Sequence, residues 1–420
     1  MKVKKYKSGL TVIVAENKSL RSVTAGVMVG AGSAHETRDN NGISHFIEHM
    51  QFKGTARRSA QDIVDEFDRA GATFNAFTGK EYTCYYFKSI DENVERCVDV
   101  LSDLFLHSQF EKSELDRERK VILEEINMSL DEPDGVCYDV LYKTAFGDAP
   151  IGMEILGTRE NVSRFEKADI TEYKKSRYLP SNTVIAFAGN ITESAALGLV
   201  EKFFGELTES EYVAPPASVK AEFRSGYGEF IRDYEQSEIS VAFPSPCTVG
   251  SARSPIASAL DQILGSGMGS RLFRRLREQM GLVYSVYTTP WMGKTNGLFT
   301  VCANVNSVNV RKSLLAIREE IDKIVRDGVT PEEVEKAKTQ LKVSAVFGTE
   351  TPMNYMLSLM RWRVLLDREY DVDEIIRNVE KITKPDVDAL AREIFAASPA
   401  LAYAGKGTEE KLDKIWNDKQ

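Results

Sequence analysis

The sequence has no apolar run approaching the roughly 18 residues that a membrane-spanning helix needs. It has no CxxC pair. Its five cysteines, Cys84, Cys97, Cys137, Cys247 and Cys302, are odd in number and widely spaced. That excludes a disulfide framework and reads as buried thiols in a reducing compartment. Positive charge is in deficit: 54 Lys and Arg against 63 Asp and Glu leave a net charge of −9. A general nucleic-acid binder is excluded on that balance, whereas basic peptides would be attracted. Histidine is scarce, with only four in the chain, so two in one short motif carry weight. Lys2, Lys4, Lys5 and Lys7 imitate the start of a secretion signal, but the apolar stretch after them is short and ends at Glu16. It alternates as a strand does after the Ser8-Gly9 turn, so the expectation is a mature, cytoplasmic N-terminus.

What is present is ordinary globular composition, 42% hydrophobic and 28% charged, which argues against disorder and collagen-like repetition. At about 150 residues per domain, the length predicts two or three domains. The clearest break is EYVAPPASVK at 211–220, whose paired prolines read as a linker. It divides the chain into domains at 1–212 and 221–420. The two halves share a pattern of strand, loop, strand and amphipathic helix, beginning at Gly71 in one and Gly281 in the other. A second helix with an acidic start follows in each. This is a two-copy duplication. Strands such as SVTAGVMVG and NTVIAFAGNI among long helical patterns predict an α+β fold: two homologous domains, each a mostly antiparallel sheet with helices on one face.

The chemistry lies after Asn41-Gly42-Ile43-Ser44, a turn that opens the helix HFIEHMQF. His45 and His49 stand four apart and project from one helical face, with Glu48 on the same side. Two imidazoles so placed can chelate one metal ion, and a neighbouring carboxylate can deprotonate a water. The order H-x-x-E-H is the inverzincin signature; the plainer reading is a solvated face or a histidine pair satisfied by carboxylates. A third ligand is available on FEKSELDRERKVILEEINMSLDEP, where Glu118 and Glu125 are two helical turns apart. Glu124 points about 100° away from Glu125, and periodicity does not choose among these carboxylates.

With these residues the chain resembles the zinc peptidases that include pitrilysin, insulysin and the mitochondrial processing peptidase. Its length and single metal motif resemble the bacterial processing-peptidase-like branch. The resemblance runs through SGLTVIVAE, NGISHFIEHMQFKGT and RYLPSNTVIAFAGNI and covers essentially the whole chain. In that family the carboxylate ligand follows the second histidine by about 76 positions, and Glu125 stands at that distance from His49. The resemblance therefore implies one Zn²⁺ per chain on His45, His49 and Glu125, with Glu48 as general base and Glu118 assisting. Nitrogen and oxygen donors without thiolate also admit Mn²⁺ or Co²⁺.

In the second half, GSGMGSRLFRRLREQMGLVYSV carries Arg277 and Tyr284 seven apart. The resemblance gives them contacts to the substrate backbone near the scissile bond; read alone, they are a surface charge and a half-buried aromatic. Glycines 265, 267 and 269 match no nucleotide-binding motif. Asn75-Ala76-Phe77-Thr78 resembles the family's substrate-edge strand, to which a peptide adds by main-chain hydrogen bonds; an ordinary hairpin strand fits equally. His107 reads as a helix C-terminal cap, and His35 is not expected in the site. After Pro150-Ile151-Gly152 the chain has Met153-Glu154 where the family often has a basic residue and a proline.

The expected activity is that of a zinc metalloendopeptidase cutting unfolded peptides or presequence-like segments. Its expected state is a homodimer with a composite active site, acting on neither nucleic acid nor membrane. The rivals are a non-catalytic scaffold or peptide-binding subunit of the same family, and a hydrolase of small non-peptide substrates.

Overall fold

Among the described residues, eleven strands form two sheets. β1 (Lys2–Lys5), β2 (Thr11–Glu16), β3 (Ser22–Val29), β4 (Thr73–Thr78), β5 (Thr83–Ile90) and β6 (Thr183–Gly189) make the first, in the order β1-β2-β6-β3-β5-β4. β7 (Gly226–Ile231), β8 (Ser237–Pro244), β9 (Val283–Met292), β10 (Gly297–Val305) and β11 (Ala400–Gly405) make the second, in the order β7-β11-β8-β10-β9. The computed structural model describes residues 1–418. Removing β1 from the first sheet leaves the same order and sense as the second. Each has one parallel pair, β2 with β6 and β7 with β11, and is otherwise antiparallel. The duplication seen in the sequence is thus a duplication of topology, and the fold is α+β.

The α-helices of the first half are α1 (Ile43–Gln51), α2 (Ala60–Arg69), α3 (Val94–His107), α4 (Lys112–Ser129), α5 (Pro133–Phe146), α6 (Arg159–Arg164), α7 (Lys167–Arg177), α8 (Glu193–Phe203) and α9 (Gly205–Glu209). One face of the first sheet, with Val12, Val14, Val27, Ile185 and Phe187, shares a core with Phe46, Ile47, Phe67 and Leu104 from α1, α2 and α3.

The other face is covered too. Ile13, Met28, Val184 and Ala186 pack against Met356, Leu359 and Met360 of the helix Pro352–Leu366. Every residue of β6 is buried, and a strand apolar on both faces needs cover on both. Gly26 of β3 leaves room for this helix: a Cβ there would lie 3.3 Å from the Met356 methyl and 3.0 Å from the Tyr85 carbonyl. In the second sheet α5 packs on β7, β8 and β11.

These two helices correct the boundaries 1–212 and 221–420. The first unit comprises Met1–Ile126, Glu154–Ser218 and Phe347–Tyr370, and the second Asn127–Met153, Val219–Val346 and Asp371–Gln420. Each takes one covering helix from the other half of the sequence. Residues 211–220 carry neither helix nor strand.

Candidate metal centre

α1 begins at Gly42, whose φ of 96° is left-handed and which has no side chain to cap the helix. A Cβ there would lie 2.7 Å from the Cα of Gly157, so two backbones meet where only glycine fits. Glu36 supplies the missing cap. Its Oε2 accepts from the backbone N–H of Gly42 at 2.7 Å and from Asn41 Nδ2 at 2.9 Å, and its Oε1 accepts from Ser44 N–H at 2.8 Å. Burial pushes this carboxyl up, against the pull of those donors. Ile43, Phe46, Ile47 and Met50 lock the apolar face of α1 into the core, which leaves His45, Glu48 and His49 together on the other side.

α4 brings Glu118 and Glu125 to them. Glu125 Oε2 lies 3.4 Å from His49 Nε2 and 3.7 Å from His45 Nε2. His45, His49 and Glu125 offer donor atoms that all lie within 4.8 Å of one another. Glu124, one residue earlier, is exposed. Behind the group, Glu118 Oε1 is 2.8 Å from His49 Nδ1, and its Oε2 accepts from Lys53 Nζ at 2.7 Å. On the other side, Thr78 Oγ1 donates to Glu48 Oε2 at 2.5 Å.

The electrostatics are divided. Burial, with the charge of His49, holds His45 down at about 4. Burial also opposes the charge on His49, but the carboxylates of Glu118 and Glu125 outweigh it and carry that imidazole up to about 9. His49 in turn holds Glu125 below the ordinary carboxylate range, against burial. Burial raises Glu48, with the Thr78 hydrogen bond acting in the opposite direction. Two imidazole nitrogens and one carboxylate oxygen thus converge on one place. Glu125 Oε2 is buried there without a hydrogen-bond partner. A divalent cation fits that donor set: two imidazole nitrogens and one carboxylate, with no thiolate.

β4 is an edge strand of its sheet and, among the described residues, pairs with β5 alone, with Asn75 opposite Tyr86 and Phe77 opposite Cys84. Asn75 is exposed, and its Oδ1 accepts from the N–H of Ala76. Thr78 ends the strand at Glu48. Arg277 and Tyr284 belong to the second unit. Arg277 sits in a π-helical stretch, Phe273–Gln279, with its guanidinium 5.1 Å from the Tyr284 ring centre. The tyrosine is 74% exposed, not the half-buried aromatic of the plainer reading. His107 closes α3, 3.7 Å from Glu206, and His35 Nδ1 accepts from the Gly32 N–H.

Sequence reasoning missed Glu36, Lys53 and the Thr78–Glu48 bond. Lys53 follows His49 by four, which was a usable signal. Glu36 had none, because its role arises where a loop folds back on a helix start.

The family model for insulinase, peptidase family M16, matches residues 11–159, and that for the peptidase M16 inactive domain matches 164–341. An uncharacterised zinc protease of Bacillus subtilis, YmxG, is 38% identical over 95% of this chain and 97% of its own. An uncharacterised zinc protease of Streptomyces coelicolor is 33% identical over 97% of this chain and 90% of its own. The crystal structure of a protease from Helicobacter pylori superposes with a TM-score of 0.88 at 20% identity, over 96% of this chain and 98% of that one. This last likeness establishes the fold.

Proposed function

The chain belongs to the insulinase-type peptidases of family M16, and from that premise we propose that it is a zinc-dependent endopeptidase acting on unfolded peptides. The observation that carries the reading is the convergence of His45, His49 and Glu125 beside the carboxylate of Glu48. His45 and His49 would hold zinc through Nε2, and Glu125 through one oxygen. When bound, zinc supplies Lewis-acid polarisation of the scissile carbonyl and of the attacking water.

The chain's own residues do the rest. Glu48 accepts the proton of the attacking water at a carboxylate oxygen and returns it to the departing amine nitrogen. Burial, which raises Glu48, makes it a stronger base than an exposed carboxylate. Thr78 holds the other position of this carboxylate and links it to the strand where substrate would lie. Glu118 fixes the ring of His49. The substrate backbone would add to the free edge of β4 at Asn75, Ala76 and Phe77, a mode that tolerates varied side chains.

Arg277 and Tyr284 would contact the substrate near the developing oxyanion, and their exposure suits them to it. We place them in a homodimer, each chain's pair serving the other chain's metal site. The five free cysteines fit a cytoplasmic location. Among the described residues no helix is long and apolar enough to cross a membrane.

The test is cleavage of a library of unstructured peptides by the zinc-loaded protein and by Glu48→Gln. The native protein should cut, and the variant should retain its zinc with activity lower by about 10²–10⁴-fold. Silence of the zinc-loaded native protein on every peptide would replace this reading with that of a non-catalytic peptide-binding subunit.

A further inference from the structure

A cavity of about 500 Å³ lies in the first unit between the C-terminal end of α3 and one face of α7. The buried rings of Phe105, Phe110 and Tyr178 line its inner part, and the exposed Lys167 and Lys175 stand at its opening. Phe110 is held there with a φ of 52°, a left-handed backbone that bulky residues rarely adopt.

Lys174 lies among these rings. Its Nζ is 5.2 Å from the Phe110 ring centre, 5.4 Å from Tyr178 and 5.9 Å from Phe105. It donates to Gln51 Oε1 at 3.2 Å and to the carbonyl of Phe105, in the last turn of α3, at 3.0 Å. An ammonium has three donors; two are used, and among the described residues the third has no partner. None of Lys167, Lys174 and Lys175 has a carboxylate within ion-pairing distance among the described residues. Lys174 is half-buried, and a cation partly withdrawn from water without a counter-charge is costly. The helix terminus and the aromatic faces offset only part of that cost. Burial accordingly pushes Lys174 down to about 7.

The geometry points to a binding site for a monocarboxylate with an apolar body, its carboxylate on the Lys174 ammonium and its body against Phe105, Phe110 and Tyr178. One inner donor suits a monoanion better than a phosphate, which is more strongly hydrated and needs several. Such a ligand is either a free organic acid or the C-terminal residue of a peptide. The site is separate from the His45–His49–Glu125 group, although Gln51 ends the helix that carries both histidines.

Calorimetric titration with 3-phenylpropionate and with N-acetyl-phenylalanine, each beside its carboxamide, tests the assignment. At least one acid should bind, with its carboxamide weaker by about tenfold or more, the worth of a charge-assisted hydrogen bond. Lys174→Met should lose a similar factor, and the paired change Lys167→Ala, Lys175→Ala several-fold. Tighter binding of 3-phenylpropionate identifies the free acid, and tighter binding of N-acetyl-phenylalanine the peptide terminus. The site is overturned if neither acid binds at millimolar concentration, if acid and amide bind alike, or if Lys174→Met binds as the native protein does. Should Lys174→Met fail to fold, unchanged affinity in the paired variant overturns it instead.

Discussion

Glu118 Oε1 and His49 Nδ1 are 2.8 Å apart, so the imidazole is held by the nitrogen that faces away from Glu125. This carboxylate is 4% exposed and is itself held by Lys53. His45 has no such support: its Nδ1 is buried without a hydrogen-bond partner. The two histidines of one motif are therefore oriented by different means, one by a charged hydrogen bond and one by packing alone.

Removing that bond should loosen the metal and spare the base. Glu118→Gln is expected to weaken zinc binding by about 10–100-fold, as loss of a partner behind a ligand typically does. Competition against a chromophoric chelator measures it, and peptidase activity should recover at saturating zinc. Unchanged affinity would make Glu118 a bystander. Lys53→Met should have a smaller effect, because its side chain is 30% exposed and water can replace it.

The metal-free protein should be most stable near pH 6.5. His49 is raised from 6.5 to about 9, so its contribution is complete below pH 6.5 and is lost as pH rises through 9. His45 is lowered from 6.5 to about 4, so the unfolded chain binds the extra proton first and stability falls as pH drops from 6.5 towards 4. Thermal unfolding of chelator-treated protein from pH 4 to 9.5 checks both arms. His49→Gln should flatten the alkaline one. Zinc affinity should rise over the same alkaline range, because the proton on His49 competes with the metal.

Glu36 should matter more than its distance from the chemistry suggests. Glu36→Ala leaves the N–H groups of Gly42 and Ser44 without acceptors, at about 1–3 kcal/mol for each buried donor. Glu36→Gln keeps one acceptor oxygen and should lie between. Both variants should unfold at lower temperature and bind zinc more weakly, because α1 carries both histidines. If α1 keeps its native hydrogen-exchange protection in Glu36→Ala, the cap is dispensable.

The motif was legible because it depends on little beyond local helix geometry: His45, Glu48 and His49 share a face wherever the helix sits. Glu125 was legible by its spacing from His49 once the family resemblance was recognised. Periodicity alone left the choice of carboxylate open; in the structure Glu125 lies beside the two imidazoles and Glu124 is exposed. The helix Pro352–Leu366 shows the limit. Its pattern can say that Met356, Leu359 and Met360 are buried, but not which sheet they bury. Two related sheets with similar apolar faces make that choice a tertiary one. Thr78 was read as part of an edge strand, and its bond to Glu48 depends on the approach of that strand to α1.

The exchanged helix makes a prediction at long range in sequence. Met360→Ala should cost about 2–5 kcal/mol by opening a cavity in a full core. The loss of hydrogen-exchange protection should fall on β3 and β6, which it covers, although they lie in the other half of the chain. Loss confined to β7–β11 would contradict the division into units.

The exposed pair of Arg277 and Tyr284 allows a decisive test of the dimer. Tyr284→Phe removes a donor from the proposed oxyanion contact while keeping the ring under the guanidinium, and should lower kcat by about 10²-fold with KM little changed. Glu48→Gln should be inactive in its own right. If each site takes Glu48 from one chain and Tyr284 from the other, a heterodimer of the two variants has one site with both defects and one with neither. Mixing equal amounts should then restore about a quarter of native activity, since half the dimers are mixed and half their sites are intact. Native mass spectrometry reports whether mixed dimers form. Mixed dimers without recovered activity would place Arg277 and Tyr284 outside the partner's site.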